Sequence, residues 1–216
     1  MLDSYEALIP QYISKEDFFT YAVEKTIYIP DSKIKEEWSK LKTKLEENKT
    51  LYIRGSKASA ENQMLFDFYK TVFKNDSIKK DPSNTQNPSK LMDEFSGYKK
   101  KDLKNYQLYS PFAKNKNVLL FCAPWNIVYI PKILDPLLSD EAKTPLALEF
   151  KEFFLKSCYE KFKVYVDDYN KKITNDYFVR AMDDYFRGMY ENTYEDKILV
   201  KKFEEVMYKE FSSIKV

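Results

Sequence analysis

The amino-acid sequence predicts an α+β protein that is predominantly helical, with a small central β element, surrounding helices and a three-helix C-terminal part. Two observations support this prediction. Long segments place apolar side chains three or four residues apart, which is typical of amphipathic helices, and only short β-branched or aromatic runs interrupt them. The chain of 216 residues also contains only 3 glycines, and sheet-rich folds need glycine at tight turns and bulges. The length fits a single domain, 1–216.

The N-terminal half alternates predicted helices with short predicted strands. The helix at 31–48 is the clearest, because its apolar residues recur at helical spacing. Ser14 and Asp31 are the expected N-caps, since their side-chain oxygens can accept hydrogen bonds from backbone N–H groups of the first turn. In chain order, the predicted elements are a helix after Ser14, a strand at 26–29, the helix at 31–48, a strand at 50–54, a helix at 58–73, a polar loop at 75–88 and a short helix at 90–95.

The C-terminal part is predicted to contain three helices. Apolar stripes run from 145 to about 172 and from 174 or 175 to 190, and a third helix is expected to open at 193–196. These helices make up the part at 144–216, whereas residues 1–143 form a mixed α/β core. Both parts are expected within the one domain.

The stretch at 105–141 contains the longest apolar runs of the chain and four of its nine prolines. The run at 117–122 predicts a buried strand. The run at 127–130 fits a second strand or the start of a helix, and periodicity does not separate these for so short a segment. Charged, helix-like segments flank the stretch, so we expect it to lie at the centre of the fold.

The composition excludes several kinds of chemistry. The chain has no histidine, which excludes histidine-dependent triads, zinc sites with histidine ligands and nucleases whose general base is an imidazole. Its glycines are too far apart for a P-loop or a G-x-G-x-x-G loop. Cys122 and Cys158 are too few for a disulfide framework and form no C-x-x-C pair. We therefore expect no metal and no small-molecule cofactor.

Positive charge is concentrated in one segment of the chain. The formal net charge is only +2, but residues 74–116 contain ten lysines and five acidic residues. Six of these lysines, interleaved with tyrosine and phenylalanine, predict contacts with nucleic-acid phosphates. They are Lys99, Lys100, Lys101, Lys104, Lys114 and Lys116. A solvated lysine loop is the alternative interpretation.

The sequence also bears on location. The N-terminal residues lack the basic-then-apolar pattern of a signal peptide. No apolar run approaches the roughly 20 residues that a membrane-spanning helix needs. The sequence therefore predicts a cytoplasmic protein without a membrane partner.

Five short motifs in the stretch at 105–141 resemble a bacterial family of HNH (ββα-metal) endonucleases from restriction or phage-related settings. They are Asn105-Tyr-Gln107, Lys116-Asn117, Ala123-Pro-Trp-Asn-Ile127, Tyr129-Ile-Pro131 and Asp135-Pro136, with a weaker extension to 52–55 and 80–82. The resemblance implies a strand, a loop and a helix that clamp one divalent ion beside the scissile phosphate. In such a module a histidine activates water, while an asparagine and a second histidine or acid orient the base and the metal.

Both histidine positions of that family are replaced in this chain. The family carries Ser-His after its first motif and Gly-His-Glu after its Asp-Pro, where this chain has Tyr109-Ser110 and Ser139-Asp140-Glu141. A serine hydroxyl has no pKa near neutrality, so Ser110 does not substitute as the base. The resemblance therefore implies a catalytically inactive or very weakly active relative that keeps the scaffold and binds DNA or a partner.

Three other interpretations remain open, and with them the question of whether the chain is an enzyme. A histidine-free, Mg²⁺-dependent DNA endonuclease would use Asp135, Asp140 and Glu141 together with Asn117 or Asn126. A helical interaction module would bind a protein partner or self-associate through its C-terminal helices, and an exposed aromatic stripe at 177–190 would favour it. The segment at 123–131 also suits a packed core in which Trp125 is buried and Asn126 caps a turn.

Overall fold

The computed structural model describes residues 3–192 and 197–216. Its helices are α1 (Ser4–Leu8), α2 (Lys15–Glu24), α3 (Asp31–Glu46), α4 (Ser59–Val72), α5 (Gln86–Phe95), α6 (Val118–Phe121), α7 (Asp135–Leu138), α8 (Pro145–Ile173), α9 (Asp176–Asn192) and α10 (Lys197–Glu210). Its strands are β1 (Leu51–Ile53), β2 (Ile78–Lys80), β3 (Tyr106–Tyr109) and β4 (Val128–Pro131), with 3-10 turns at Lys100–Asp102 and Lys132–Leu134. The protein is α+β and predominantly helical, as predicted. Within the described ranges, no helix combines the length and apolar character needed to cross a bilayer.

The β structure consists of two separate strand pairs. β1 pairs in parallel with β2, and β3 pairs antiparallel with β4, with Tyr109 opposite Val128. Ile27 adds an antiparallel bridge to Tyr129, through two backbone hydrogen bonds of 2.8 and 3.1 Å. The chain between β3 and β4 returns as one loop that contains α6.

The predicted strand at 117–122 is wrong, because these residues form the one-turn helix α6. Asn117 is its N-cap, and the Oδ1 atom of Asn117 accepts a hydrogen bond from the backbone N–H of Leu119 at 2.9 Å. All four helix residues are buried. A run that is apolar on every side has no periodicity that separates a helix from a strand. The run at 127–130 belongs to a strand, β4.

Three further segments differ from the sequence-based prediction. The polar loop at 75–88 contains β2, in which only Ile78 is buried. The predicted strand at 26–29 makes only the single bridge of Ile27. No strand was predicted for β3, whose four residues are all half-buried. Each segment is short and bonded to a single neighbour, so none needs the alternating apolar pattern by which strands are recognised.

The long helices α3, α4, α8 and α9 begin and end within two residues of their predicted limits. Ser14 caps α2 as predicted, since its hydroxyl accepts a hydrogen bond from the backbone N–H of Asp17 at 3.0 Å. The predicted cap at Asp31 is wrong. Pro30 occupies the N-cap position, and Asp31 lies in the first turn. The predicted opening of the last helix at 193–196 lies outside the described residues.

One hydrophobic core joins the mixed part of the chain to the C-terminal helices. The ring centroids of Phe19 and Phe150 are 5.2 Å apart, and those of Trp125 and Tyr169 are 6.3 Å apart. The same cluster of buried side chains includes residues near both ends of the described chain. Helix α8 therefore packs against both α2 and the stretch at 105–141.

The aromatic stripe at 177–190 is mostly covered by neighbouring helices. Phe186 is only 2% exposed, and the hydroxyl of Tyr185 donates a hydrogen bond to the backbone oxygen of Met64 at 3.2 Å. Tyr177 is the member of the stripe that stays largely exposed. This face packs against α4 and α10, so the condition that would favour an interaction module is not met.

Candidate functional site

Strands β3 and β4 and the helix α7 that follows them form a ββα unit. Ser110 follows β3 directly, and Asp135 begins α7 directly after the 3-10 turn. A cleft of about 370 Å³ lies between these two ends. Arg54 and Asn84 line the cleft from the β1–β2 side, and Ser110, Asp135 and Asp140 line it from the ββα side. Ser110 and Asp140 therefore lie on the same cleft.

The carboxylate of Asp81 positions the β1–β2 side of this cleft. Asp81 is buried and accepts hydrogen bonds of 2.7–3.1 Å from three backbone N–H groups within 83–87 and from Nδ2 of Asn87. Burial acts to raise the pKa of Asp81, but the hydrogen bonds outweigh burial and hold the pKa below its ordinary value. These bonds fix the turn into α5 and hold Asn84, whose Oδ1 atom accepts from the backbone N–H of Gly55 at 3.0 Å.

Replacing Asp81 with asparagine is expected to lower the free energy of unfolding by about 2–3 kcal/mol at neutral pH, since a buried carboxylate loses charge-assisted hydrogen bonds. A carboxylate whose pKa is depressed in the folded chain contributes stability above its unfolded pKa. It loses that stability as the pH falls through its folded pKa. The difference between wild type and variant should therefore shrink below about pH 4.

Urea unfolding at neutral pH and at about pH 3 measures this difference. Asp102→Asn is the control, because Asp102 is exposed in the 3-10 turn. A difference between wild type and Asp81→Asn that is the same at both pH values would contradict the role given to Asp81.

The three candidate acids, Asp135, Asp140 and Glu141, divide between two cavities. Asp135 and Asp140 are exposed and line the cleft, and Nε2 of Gln107 donates a hydrogen bond to Asp135. Glu141 instead lines a second cavity of about 760 Å³ beside α1, which adjoins the cleft at Ser139. Burial, followed by neighbouring charges that include Asp140 and Asp135, raises the pKa of Tyr109, so this phenol stays protonated at neutral pH. Among the described residues, no three acidic or cysteine side chains are placed to hold a metal ion together.

Asn117 is buried, and its side chain is used within the fold. Besides capping α6, its Nδ2 donates hydrogen bonds to the hydroxyl of Tyr169 at 2.9 Å and to the backbone oxygen of Glu210 at 2.8 Å. These contacts join α6 to α8 and to the end of α10. Asn117 does not line the cleft, so the structure gives it a positioning role in the core rather than a place beside a substrate.

Asn126 is also buried and caps the loop between β3 and α6. Its Oδ1 accepts a hydrogen bond from the backbone N–H of Phe112 at 2.9 Å. Its Nδ2 donates to the backbone oxygens of Ala113 at 3.2 Å and Leu120 at 3.1 Å. The neighbouring Trp125 is fully buried. Both residues therefore match the packed-core interpretation of this segment, and Asn126 does not line the cleft.

Four of the six predicted phosphate-contacting lysines share one exposed loop. We name Lys99, Lys100, Lys101 and Lys104 the lysine loop; all four are exposed, and none pairs with a described carboxylate. The backbone N–H of Lys100 donates to Oδ1 of Asp93 at 2.8 Å. The same oxygen accepts a hydrogen bond from the hydroxyl of Tyr129 at 3.0 Å. Strand β4 therefore anchors the lysine loop to the ββα unit.

The other two predicted lysines, Lys114 and Lys116, form hydrogen bonds with residues at the end of the C-terminal helix α10. The Nζ atom of Lys114 donates to the hydroxyl of Ser212 at 2.6 Å, and partial burial lowers the pKa of Lys114 to about 8. The backbone N–H of Lys116 donates to Oε2 of Glu210 at 3.0 Å, and its Nζ lies 3.7 Å from a carboxylate oxygen of Glu61. Both amines are engaged within the fold, unlike those of the lysine loop.

Two cations outside the predicted set also belong to these surfaces. Arg54 is exposed and lines the cleft, and its backbone N–H donates to the oxygen of Asn115 at 3.0 Å. Lys132 is exposed, and its backbone N–H donates to the oxygen of Asn105 at 2.8 Å, which places it beside the end of the lysine loop. Neither lies in a run of basic residues, so clustering of charge along the sequence could not identify them.

The part of the chain that matches known sequences includes the cleft, the lysine loop and the C-terminal helices. The profile of the family described as "Uncharacterised protein PM1201" matches residues 29–216. The chain belongs to this family. An uncharacterized protein PM1201 from Pasteurella multocida (strain Pm70) is 39% identical over 162 residues, which are 74% of this chain and 73% of the relative. No solved structure matches the chain.

Proposed function

We propose that this member of the PM1201 family binds duplex DNA through the lysine loop. The scaffold is a ββα unit that resembles an HNH endonuclease and lacks its histidines, and the setting is restriction or phage defence in the bacterial cytoplasm. The observation that carries the proposal is the lysine loop, with four exposed ammonium groups that have no carboxylate partner among the described residues and that strand β4 anchors to the unit.

Phosphate groups are the chemistry that such a loop fits. Each ammonium that neutralises a phosphate releases a condensed counterion, so log affinity falls with log salt concentration by about 0.9 per phosphate. Lys132 extends the same surface. Contacts to phosphates position a protein on the duplex but carry no direct sequence information, so we expect binding with little sequence preference.

The cleft favours binding without cleavage. Ser110 stands where the resembling family carries its catalytic base, and a serine hydroxyl does not take up a proton near neutral pH. Tyr109 stays protonated, because burial and nearby negative charge raise its pKa. Asn117 and Asn126 are turned into the core, so they do not orient groups within the cleft.

An electrophoretic mobility shift with a short DNA duplex, run at low salt with and without Mg²⁺, tests the proposal. We expect a shifted complex under both conditions and intact DNA afterwards. The absence of a shift at low salt would contradict the proposal. Cleaved DNA in the presence of Mg²⁺ would contradict the inactive role and favour the second function below.

One observation favours a second function, that of a histidine-free Mg²⁺-dependent endonuclease. Asp135 and Asp140 line the same cleft as Arg54. Mg²⁺ is commonly held by one or two carboxylates together with substrate phosphates and water, so these two acids fit the ion, which would supply polarisation of a phosphate oxygen. Arg54 has the planar fork of donors that suits a phosphate group.

The variant Asp140→Asn separates the two functions. If the chain only binds DNA, we expect intact DNA and unchanged or slightly tighter binding, because a negative charge near phosphates is removed. If it is a nuclease, Mg²⁺-dependent cleavage and Mn²⁺ binding, the latter measured by water-proton relaxation, should both fall about tenfold or more. Glu141→Gln is the matched control, since Glu141 lines the other cavity.

A further inference from the structure

A cavity of about 690 Å³ opens where α3, the end of α4 and the junction of α8 with α9 meet. None of its lining residues lines the cleft of the ββα unit. The volume lies within the roughly 300–1,000 Å³ that small-molecule sites occupy. The cavity is therefore separate from the proposed DNA-binding surface and large enough for a ligand of its own.

The floor of this cavity is apolar and aromatic. Leu119, Ile173 and Phe178 are buried side chains at its base, and Phe73 lies beside them with its ring centroid 5.4 Å from that of Phe178. Tyr177 lines the cavity and is 67% exposed, so its ring is available to pack against a bound molecule. These surfaces suit a flat apolar body.

The rim of the cavity carries more positive than negative charge. Lys42 is paired with Asp168 at 2.6 Å, and Lys172 is paired with Glu46 at 2.7 Å. Lys171 is exposed and forms no ion pair with a described carboxylate. Two ion pairs and one uncompensated ammonium leave a net single positive charge around the opening, which matches a ligand with one negative charge.

We propose that this cavity binds a small aromatic anion. The ring system packs on the floor beside Phe73 and Phe178, and the acidic group faces Lys171 at the rim, next to the ion pair of Lys42 with Asp168. The sequence-based expectation covers only small-molecule cofactors, and the sequence does not show this cavity because α3 and α4 lie far along the chain from α8 and α9. It does not depend on the DNA-binding proposal.

Two fluorescent dyes that share a ring system test the proposal. 1-Anilinonaphthalene-8-sulfonate carries a sulfonate, and N-phenyl-1-naphthylamine is its uncharged counterpart. We expect saturable binding of the sulfonate at one site, about tenfold or more tighter than binding of the uncharged dye. Equal affinity for the two dyes would overturn the proposal, since an exposed apolar patch does not require the charge.

Two variants locate the binding site. The double variant Lys42→Gln with Lys171→Gln should weaken sulfonate binding about tenfold and leave binding of the uncharged dye unchanged. The control, Lys35→Gln with Lys163→Gln, lies on the same two helices outside the cavity and should change binding of neither dye. Thr43→Trp should abolish the sulfonate response, because Thr43 is exposed on α3 and its side chain lines the cavity. Unchanged sulfonate binding in either cavity variant, with thermal unfolding showing a folded protein, would overturn the proposal.

Discussion

Changing Lys99, Lys100, Lys101 and Lys104 together to glutamine is expected to weaken binding of duplex DNA about a hundredfold at moderate ionic strength. Each lost phosphate contact removes about 0.5–1 kcal/mol of binding free energy, so four of them account for a loss of this size. All four side chains are exposed, and exposed substitutions usually change stability by less than about 0.5 kcal/mol. Fluorescence anisotropy of a labelled duplex measures the change.

The control for this prediction removes the same charge from other surfaces. Lys35, Lys156, Lys201 and Lys202 are exposed and lie on α3, α8 and α10. Changing these four to glutamine is expected to alter affinity by less than about threefold, through the long-range field alone. If both quadruple variants lost affinity equally, net charge rather than the lysine loop would govern binding, and the assignment of this surface would be wrong.

Replacing Asn126 with alanine is expected to lower the free energy of unfolding by about 3–4 kcal/mol, the larger of the two stability effects that we predict. The buried backbone N–H of Phe112 would lose its hydrogen-bond partner. The backbone oxygens of the exposed Ala113 and of Leu120, which keeps its bond from Ala123, would each lose one hydrogen bond. A buried polar group without a partner costs about 1–3 kcal/mol. Urea unfolding followed by circular dichroism measures the change.

Asn115→Ala is the matched control for Asn126→Ala. Asn115 lines the cleft and is half-buried, so replacing it with alanine is expected to change the free energy of unfolding by less than about 1 kcal/mol. A loss below about 1 kcal/mol in Asn126→Ala would contradict the capping network. In that case the role of Asn126 would have to be sought in function rather than in folding.

The sequence predicts the long helices because their physical cause is local. Amphipathic spacing in α3, α4, α8 and α9 determines which face is buried, and the same spacing is visible in the residues themselves. The one-turn helix α6 and strand β3 could not be predicted in this way. Their conformations depend on tertiary contacts, such as the bonds from Asn117 to Tyr169 and Glu210, which no local pattern reports.

The candidate site was predictable only in part, for a related reason. The sequence shows that lysines are concentrated at 99–116, but it does not show that Lys114 reaches Ser212 while the lysine loop stays free. The sequence also places five polar candidates near one another in the chain. In the structure Asn117 and Asn126 are buried in the core, whereas Asp135 and Asp140 line the cleft. Which side chains share a surface is decided by packing between distant segments.

The most direct test of the DNA-binding proposal is the slope of log affinity against log salt concentration, measured for wild type and for the quadruple variant of the lysine loop. Four neutralised phosphates contribute about −3.6 to that slope, so we expect the variant to be flatter than wild type by about 3 to 4. A wild-type slope near zero, or the same slope in both proteins, would contradict the proposal that the lysine loop contacts DNA phosphates.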